Sequence, residues 1–351
     1  MDETRQTKRG QGKQPLLRDV AKHAGVSPAT VSRTLNGDSR VDPALQTRVL
    51  AAVKELGYRR NMLARNFSRQ RLDAVGVIIS DIENPHFGEM VKVIEEEGFR
   101  RGYRVVVCAT NESADKQSAY LRMLADERVA GVIISPSDPY GPEIGELLDS
   151  GVPVVAIDRE VSDPRADAVV ADNVGGVSEA TQLLVDSGHT QIAYIGGRRG
   201  VETSAERLAG YRQVMRSKGL RVQAAIGDFN IVGGHRAMTG FLTGGDPPTA
   251  VVVANNLMTL GAIRAAHDLQ IAIPDDLALV GVDDPYWADF VNPPITSVAQ
   301  PVTAMARAAI SILLTRLQGE ESPPMRSVHS MGLIVRASSA GGPRVAAQIQ
   351  A

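Results

Sequence analysis

Three features of the sequence predict an α/β protein with two doubly wound parallel-sheet lobes and an N-terminal all-α helix-turn-helix domain. From residue 73 onwards, short β-rich apolar runs alternate with helical segments, a pattern typical of parallel sheets covered by helices. The pattern occurs in two sets that meet near residue 173, which indicates two lobes. Residues 1–72 carry 15 basic and 6 acidic residues, whereas the remainder carries 23 basic and 34 acidic ones. A basic head on an acidic body is expected of a nucleic-acid-binding module joined to a second domain.

The basic head is patterned as three short helices. The first two span 17–24 and 28–36, and the tight turn between them gives the helix-turn-helix arrangement. Ser27 is the expected N-cap of the second helix, and a proline follows it at the first helical position, where the missing N–H would be unpaired anyway. The third helix opens at Pro43 behind its cap, Asp42, and carries an apolar stripe. Three helices of this length predict one small core that holds the second helix outward.

The motif LLRDVAKHAGVSPATVSRTLNG, followed by RVDPALQTRVLAAVKELGYRRNMLAR, resembles the DNA-binding head of the LacI/GalR transcriptional regulators. The resemblance extends along the chain to about Ser339. It implies that the second helix lies in the major groove of near-palindromic operator DNA. It also implies a body similar to periplasmic sugar-binding proteins, and a homodimer.

The resemblance assigns one set of side chains to DNA contact. They are Ser27, Pro28, Ala29, Thr30, Ser32, Arg33, Asn36, Arg60, Asn61, Arg65 and Phe67. Pro28, Ala29 and Arg33 take the base-reading positions, and the hydroxyl groups of the set are expected at phosphates. Arg33 suits bidentate recognition of guanine O6 and N7, which contributes about 1–3 kcal/mol of discrimination. The small outer face of the helix lets it enter the groove deeply.

Residues 60–72 resemble the hinge helix of the family, which orders on operator DNA and enters the minor groove, where a Leu wedges a base step. Phe67 stands at the position of that Leu, and an inserted phenyl ring can also unstack and kink DNA. Arg60 replaces a Pro of the family, which adds a phosphate-binding charge and removes a restraint on helix entry. In an alternative that stays open, the segment is a basic linker and Phe67 packs against the body.

The predicted organisation has five parts. They are a disordered basic tail at 1–14, the helix-turn-helix domain at 15–59, the hinge at 60–72, an effector-binding and dimerisation domain at 73–340, and a tail at 341–351. The N-lobe is expected at about 73–172 and 301–322, and the C-lobe at about 173–300 and 323–340. The chain would therefore cross between the lobes three times, the last time after about Pro323.

Polar side chains follow most of the predicted strands, and ligands of open α/β sheets bind beyond those strand ends. The resemblance places effector contacts at His86, Phe87, Asp158, Thr203, Arg207, Phe229, Asn255 and Asp283, and the strand ends add Arg159 and Asn256. Asn256 stands where the family has Asp, so an amide replaces the carboxylate at this position. Asp158–Arg159 and Asp283–Asp284 could instead cap strand ends or bridge the lobes. The scarcity of Lys and Arg near the strand ends favours a neutral monosaccharide over a phosphorylated one, although Arg198 and Arg199 weaken that inference.

The function predicted from these features is a sequence-specific DNA-binding transcriptional regulator, a repressor, whose operator affinity is controlled by a small-molecule effector between the lobes. A monosaccharide is the expected effector. One alternative is a purine or nucleoside that acts as a corepressor. A second alternative is a sugar-binding protein without DNA function, which leaves the basic head unexplained.

Several other classes of function are not expected. The sequence has no H-E-x-x-H, no G-x-S-x-G, no phosphate-loop spacing and no zinc-type cysteine cluster, so an enzyme, a metal and a cofactor are not predicted. No apolar run reaches the roughly 20 residues of a membrane span. The polar N-terminus and the single cysteine, Cys108, favour a cytoplasmic, nucleoid-associated protein.

Overall fold

The structure, a computed structural model, describes residues 15–35, 38, 40–58 and 72–341. The chain divides into two compact units, residues 1–70 and 71–351. The predicted tails at 1–14 and beyond 341, and the predicted hinge segment up to residue 71, lie outside the described residues.

The described part of the head contains the three predicted helices, each of which begins at the predicted residue. They are α1 Leu17–Ala24, α2 Pro28–Leu35 and α3 Pro43–Glu55. The backbone turns at Gly25, whose φ of +63° suits glycine, and the Asp42 carboxylate accepts hydrogen bonds from the first turn of α3. Buried side chains from all three helices form the core, namely Val20, Ala21, Ala24, Val31, Val49 and Ala52. This core leaves the opposite face of α2 exposed.

The described part of the body contains two six-stranded sheets, each with strand order typical of doubly wound folds. The first sheet consists of β1 Ala74–Ile79, β2 Arg104–Ala109, β3 Gly131–Ile134, β4 Val154–Ile157, β5 Asp167–Ala171 and β11 Arg326–His329, in the order β11-β5-β4-β3-β1-β2. The second consists of β6 Ile192–Gly196, β7 Gln223–Ile226, β8 Ala250–Val253, β9 Ala278–Val282, β10 Thr296–Ala299 and β12 Gly332–Ile334, in the order β12-β10-β9-β8-β6-β7. All pairings are parallel except that of β12 with β10. The fold class predicted from the alternating pattern is confirmed.

Helices cover the faces of both sheets. The first lobe carries α4 Pro85–Arg100, α5 Ala114–Asp126, α6 Pro142–Asp149 and α11 Val302–Leu317. The second lobe carries α7 Asn173–Asp186, α8 Glu202–Ser217, α9 Ile231–Leu242 and α10 Asn256–Asp268, with short 3₁₀ turns at Tyr286–Asp289 and Ala337–Ser339. The central strands β1, β3, β4, β8 and β9 are buried along their whole length, because helices pack on both of their faces.

The third crossing between the lobes lies later than the sequence predicts. The expected position after about Pro323 is wrong, because β11 still pairs with β5 of the first sheet and only β12 joins the second. A buried ion pair holds this return strand: Arg316 donates to both oxygens of Asp167, whose Oδ1 also accepts from the backbone N–H of Met325 at 2.8 Å. The crossing therefore lies between His329 and Gly332.

Close packing of α9 against α10 depends on glycines. A Cβ added at Gly261 of α10 would lie 2.1 Å from the carbonyl oxygen of Ile231 and 2.6 Å from the backbone nitrogen of His235, both in α9. The N-termini of these two helices follow Phe229 and Asn255, so the close approach positions loops that border the cleft.

Gly261→Ala is expected to destabilise the body, by about 1–3 kcal/mol, because α9 and α10 must move apart to accept the methyl group. Gly240→Ala, on the exposed face of α9, is the matched control, since no described atom lies within 4 Å of the added Cβ. The control should stabilise the protein by about 0.5–1 kcal/mol through helix propensity. Chemical denaturation of the full chain measures both, and equal changes for the two variants would contradict the packing argument.

Candidate functional site

A cavity of about 330 Å³ lies between the two lobes, where the carboxyl ends of both sheets meet. The predicted effector residues that line it are His86, Phe87, Asp158, Arg159, Thr203, Arg207, Phe229, Asn255 and Asp283. Asn256 does not line it. Its Nδ2 donates to Asn84 Oδ1 of the other lobe at 2.8 Å, so Asn256 links the lobes beside the cavity.

Two carboxylates from opposite lobes face one buried imidazole. Asp158 follows β4 and Asp283 follows β9, and both have left-handed backbone angles, with φ of 69° and 72°. His86 lies between them in the first turn of α4, with Nε2 3.8 Å from Asp158 Oδ1 and Nδ1 3.9 Å from Asp283 Oδ1. Neither ring nitrogen has a hydrogen-bond partner among the described residues, although His86 is only 6% exposed. The arrangement therefore has unused hydrogen-bonding capacity in its buried centre.

Arg207 presents a fixed guanidinium to the cavity from α8. Its Nε donates to Asn173 Oδ1 at 2.7 Å and its Nη1 donates to the carbonyl oxygen of Ala254 at 2.7 Å. The side chain is 3% exposed, so two buried hydrogen bonds hold its plane.

Asn255 caps a helix and also lines the cavity. It is the N-cap of α10, where its Oδ1 accepts from the N–H of Met258 at 2.8 Å, and its Nδ2 donates to the Phe229 carbonyl oxygen at 3.3 Å. Both polar atoms of this side chain are already engaged. A ligand contact at Asn255 would have to share them.

Arg159 is held by a residue that the sequence reasoning missed. Glu112 receives two parallel hydrogen bonds from the Arg159 guanidinium, at 2.7 and 2.6 Å. Burial opposes the charge of Arg159, but the hydrogen bonds with Glu112 together with the negative charges of Asp158, Glu112 and Glu202 outweigh it and raise the pKa of the guanidinium. Phe229 of the second lobe lies on the other side, with its ring centroid 6.0 Å from Arg159 Cζ.

Two further cavity residues, Gln300 and Asn84, are not among the predicted effector residues. Gln300 donates from Nε2 to Asp283 Oδ1 at 2.7 Å, and Asn84 caps α4 by accepting from the backbone N–H of His86 at 3.0 Å. Asn84 lies in the polar run 81–87 after β1, which the strand-end rule marks, and the structure adds its role as a helix cap. The sequence marks Gln300 only as the last residue of the predicted C-lobe segment 173–300, because its contact with Asp283 depends on the pairing of β9 with β10.

The head presents the predicted base-reading side chains on one exposed face. Pro28, Ala29 and Arg33 are exposed, and Ser32 is partly exposed. Ser27 Oγ accepts from the N–H of Thr30 at 3.1 Å and lies 2.9 Å from Thr30 Oγ1, so both hydroxyl groups already serve the N-cap. The remaining predicted DNA contacts lie outside the described residues: Asn36, Arg60, Asn61, Arg65 and Phe67.

Two kinds of feature are absent from the described part of the chain. It holds no group of three or more His, Cys, Asp or Glu side chains arranged for a metal ion. Within the same residues, every helix is too short or too polar to cross a lipid bilayer.

Comparison with known proteins identifies both units. The family model described as bacterial regulatory proteins, lacI family, matches residues 16–61, and a periplasmic binding protein-like domain model matches residues 181–339. The ribose operon repressor of Escherichia coli (strain K12) is 34% identical over 306 residues, which cover 86% of this chain and 92% of that protein. The HTH-type transcriptional repressor PurR of Vibrio campbellii (strain ATCC BAA-1116) is 33% identical over 313 residues, covering 87% and 92%.

Two solved structures are similar to this chain along most of its length. The lac repressor dimer bound to operator and the anti-inducer ONPF superimposes with a TM-score of 0.84 at 27% identity, covering 93% of this chain and 99% of that one. A complex of the transcriptional regulator CelR with cellobiose superimposes with a TM-score of 0.69 at 34% identity, covering 93% and 100%.

The carboxyl group of Glu206, whose neighbour in sequence Arg207 lines the cavity, makes the stability of the protein depend on pH. Burial raises the pKa of Glu206, and the hydrogen bond from Asn173 Nδ2, at 2.9 Å, offsets this only in part. Folding therefore favours the protonated carboxyl, so the stability that Glu206 contributes is present below its unfolded pKa and is lost as pH rises through its folded pKa.

Glu206→Gln is accordingly expected to raise the free energy of unfolding at pH 7 relative to the wild type, and to lose this advantage towards pH 4. Denaturant titrations at several pH values measure the difference. Glu146→Gln, at an exposed position on α6, is the matched control. A difference between wild type and Glu206→Gln that stays constant with pH would show that burial does not oppose the charge of Glu206.

Proposed function

This chain belongs to the LacI family of bacterial regulatory proteins, and from that premise we propose a homodimeric repressor that leaves its operator when a neutral monosaccharide binds between the lobes. Membership of the family makes it a DNA-binding transcriptional regulator with a ligand-binding domain, and not an enzyme. A near-palindromic operator matches the twofold symmetry of a dimer. The proposal places the protein in the cytoplasm, associated with the nucleoid, because the operator is there.

The observation that carries the choice of effector is the pair of carboxylates, Asp158 and Asp283, that face one cavity from opposite lobes. Carboxylates accept hydrogen bonds from hydroxyl groups and repel phosphate. Among the described residues, six carboxylates and three guanidinium groups line the cavity. Glu112 already pairs with one of those guanidinium groups, that of Arg159, so a phosphorylated ligand would meet an excess of negative charge.

Arg207 supports the same choice. Asn173 and the carbonyl oxygen of Ala254 occupy its Nε and Nη1, so its orientation is set before a ligand arrives. The N–H groups that remain can donate to a ring oxygen or to hydroxyl oxygens. A preorganised donor next to paired acceptors fits a molecule with several adjacent hydroxyl groups.

A purine is the second candidate, because repressors named PurR are among the relatives. The two aromatic side chains of the cavity do not favour it. The Arg159 guanidinium lies over one face of Phe229, and Phe87 is 4% exposed and packs edge-to-face against His86 with ring centroids 5.1 Å apart. Phe87 is enclosed and one face of Phe229 is covered, whereas hydrogen-bonding groups line the cavity from both lobes, so a sugar is the better match.

The effector can change operator affinity only through its different affinities for two forms of the protein. Several hydrogen bonds already cross between the lobes, including Asn256 to Asn84 and the Glu160 N–H to Glu202 at 3.0 Å. A sugar that contacts both carboxylates would strengthen this closed arrangement. An inducer must therefore favour a closed form that binds DNA poorly.

Arg33→Ala is expected to weaken binding to the best operator selected from a random duplex library by about 5- to 150-fold, the effect of losing one bidentate base contact. Affinity for unrelated duplex DNA should change much less. Fluorescence anisotropy at one fixed salt concentration measures both. Arg165→Ala, which removes an exposed ion pair of the body, is the control. Unchanged affinity and base preference in Arg33→Ala would exclude base reading by this residue.

Asp283→Asn and Arg207→Met are each expected to abolish stabilisation by the effector. A thermal-shift screen of the full chain with free pentoses, hexoses, nucleosides and purines identifies that effector, since a ligand at 100 times its Kd stabilises the wild type by about 2.7 kcal/mol. Asp246→Asn, which removes a surface ion pair with Arg221, is the control for the Asp variant. A purine hit, or a sugar shift that survives both site variants, would refute the proposed effector site.

A further inference from the structure

The interlobe cleft holds a second cavity, of about 450 Å³, beside the first. It lies against the loops that follow β3 and β4 and the start of α8, and its walls are more apolar, with Pro136, Pro139, Tyr140 and Val201 among them. Of the described residues that line the two cavities, only Arg159 belongs to both. Arg159 is therefore the partition between them.

This partition is rigid. Both terminal nitrogens of Arg159 bind Glu112, and Nη1 also donates to the carbonyl oxygen of Pro136 at 3.2 Å. The side chains of Arg159 and Glu112 are only 7% and 17% exposed. Separating a buried, bidentate pair leaves uncompensated charges, so thermal motion does not swing Arg159 aside.

Two side chains of the second lobe, Phe229 and Arg198, also contact the partition. The ring of Phe229 lies 6.0 Å from Arg159 Cζ, and Arg198 donates to the backbone carbonyl oxygen of Glu112 at 3.2 Å. Groups from both lobes therefore hold the ion pair when the lobes are together. A sugar enclosed in the first cavity meets the Glu112–Arg159 pair at its border with the second cavity. A second sugar ring could extend past this border only if the pair were absent.

We propose that the Glu112–Arg159 ion pair is a size filter that restricts the effector to a single ring. The inference rests on the proposed sugar-responsive function and adds to it the residues that set ligand size. Without the pair, the two cavities join, and a disaccharide can place its second ring between Pro139 and Tyr140. Tyr140 is 80% exposed, so its ring is available to contact the second ring of a disaccharide.

Titration calorimetry on the full chain tests the filter with D-ribose, D-xylose, D-glucose and D-galactose, and with the disaccharides xylobiose, cellobiose and lactose. The wild type should bind a monosaccharide and no disaccharide. The double variant Glu112→Ala/Arg159→Ala, which leaves no orphan charge, should gain at least tenfold in affinity for a disaccharide. Asp149→Ala/Arg165→Ala removes an exposed ion pair of the same lobe and should gain nothing.

A third substitution locates the second ring. Tyr140→Ala, added to the Glu112→Ala/Arg159→Ala variant, should reverse the gain in disaccharide affinity. If the double variant does not fold by circular dichroism, Glu112→Gln/Arg159→Ala, which also leaves no orphan charge but keeps the side-chain length at position 112, takes its place with a smaller expected gain.

Three results would overturn the filter: tight binding of a disaccharide by the wild type, no gain in the folded pair variant, or a gain that Tyr140→Ala does not affect. Failure of the wild type to bind any monosaccharide is a different result. It refutes the sugar-responsive function itself, and the filter with it, before any variant is compared.

Discussion

His86 lies buried between Asp158 of one lobe and Asp283 of the other, with its ring nitrogens 3.8 and 3.9 Å from the two carboxylates. Those distances are too long for hydrogen bonds. A buried polar group without a partner costs about 1–3 kcal/mol, and a guest with hydroxyl groups can recover that free energy by bridging the three side chains. The cleft is stabilised most by a molecule that touches both lobes, so ligand binding and lobe closure involve the same atoms.

The groups that face this centre are fixed by a second layer of contacts. Asp283 accepts from Gln300 and from the backbone N–H of Asn256, and Asp158 accepts from the Ser135 hydroxyl at 3.3 Å. In the second lobe, the close packing of α9 against α10, which glycine permits, positions the loops that lead into these two helices. Because little has to be ordered when a ligand arrives, the entropic cost of binding is low.

The contacts between the lobes surround the cavity. Asn256 bonds to Asn84 on one side, and the backbone N–H of Glu160 bonds to Glu202 on the other. Three chain crossings join the lobes, and the last lies between β11 and β12, so both lobes contain residues from distant parts of the chain. Two lobes joined in this way around one cavity form the kind of hinged element on which regulation by a small molecule depends.

The sequence alone determined where the helices of the head begin and where the strands of the body end, because the signals are local. Ser27 and Asp42 cap helices through backbone groups within three residues, and parallel strands bring their polar carboxyl ends to one edge. This is why Asp158, Arg159 and Asp283 line one cavity, whereas Thr203 and Arg207 of α8 are expected there only from the resemblance. The segment RSVH of β11 has no such signal, since it alternates exposed and partly buried residues at a sheet edge. Its assignment to the first sheet comes from pairing with a strand that is distant in the chain.

The tertiary structure alone decided which side chains hold the effector residues in place. Glu112 binds Arg159 across 47 positions of sequence, and Gln300 reaches Asp283 across 17. Nothing in the residues around Glu112 marks it as the partner of a buried guanidinium. The same holds for Asn256, which follows a strand like its neighbours but turns towards the other lobe. Hydrogen bonds within one turn of chain are specified by adjacent residues, whereas buried ion pairs depend on which distant loops the packed sheets bring together.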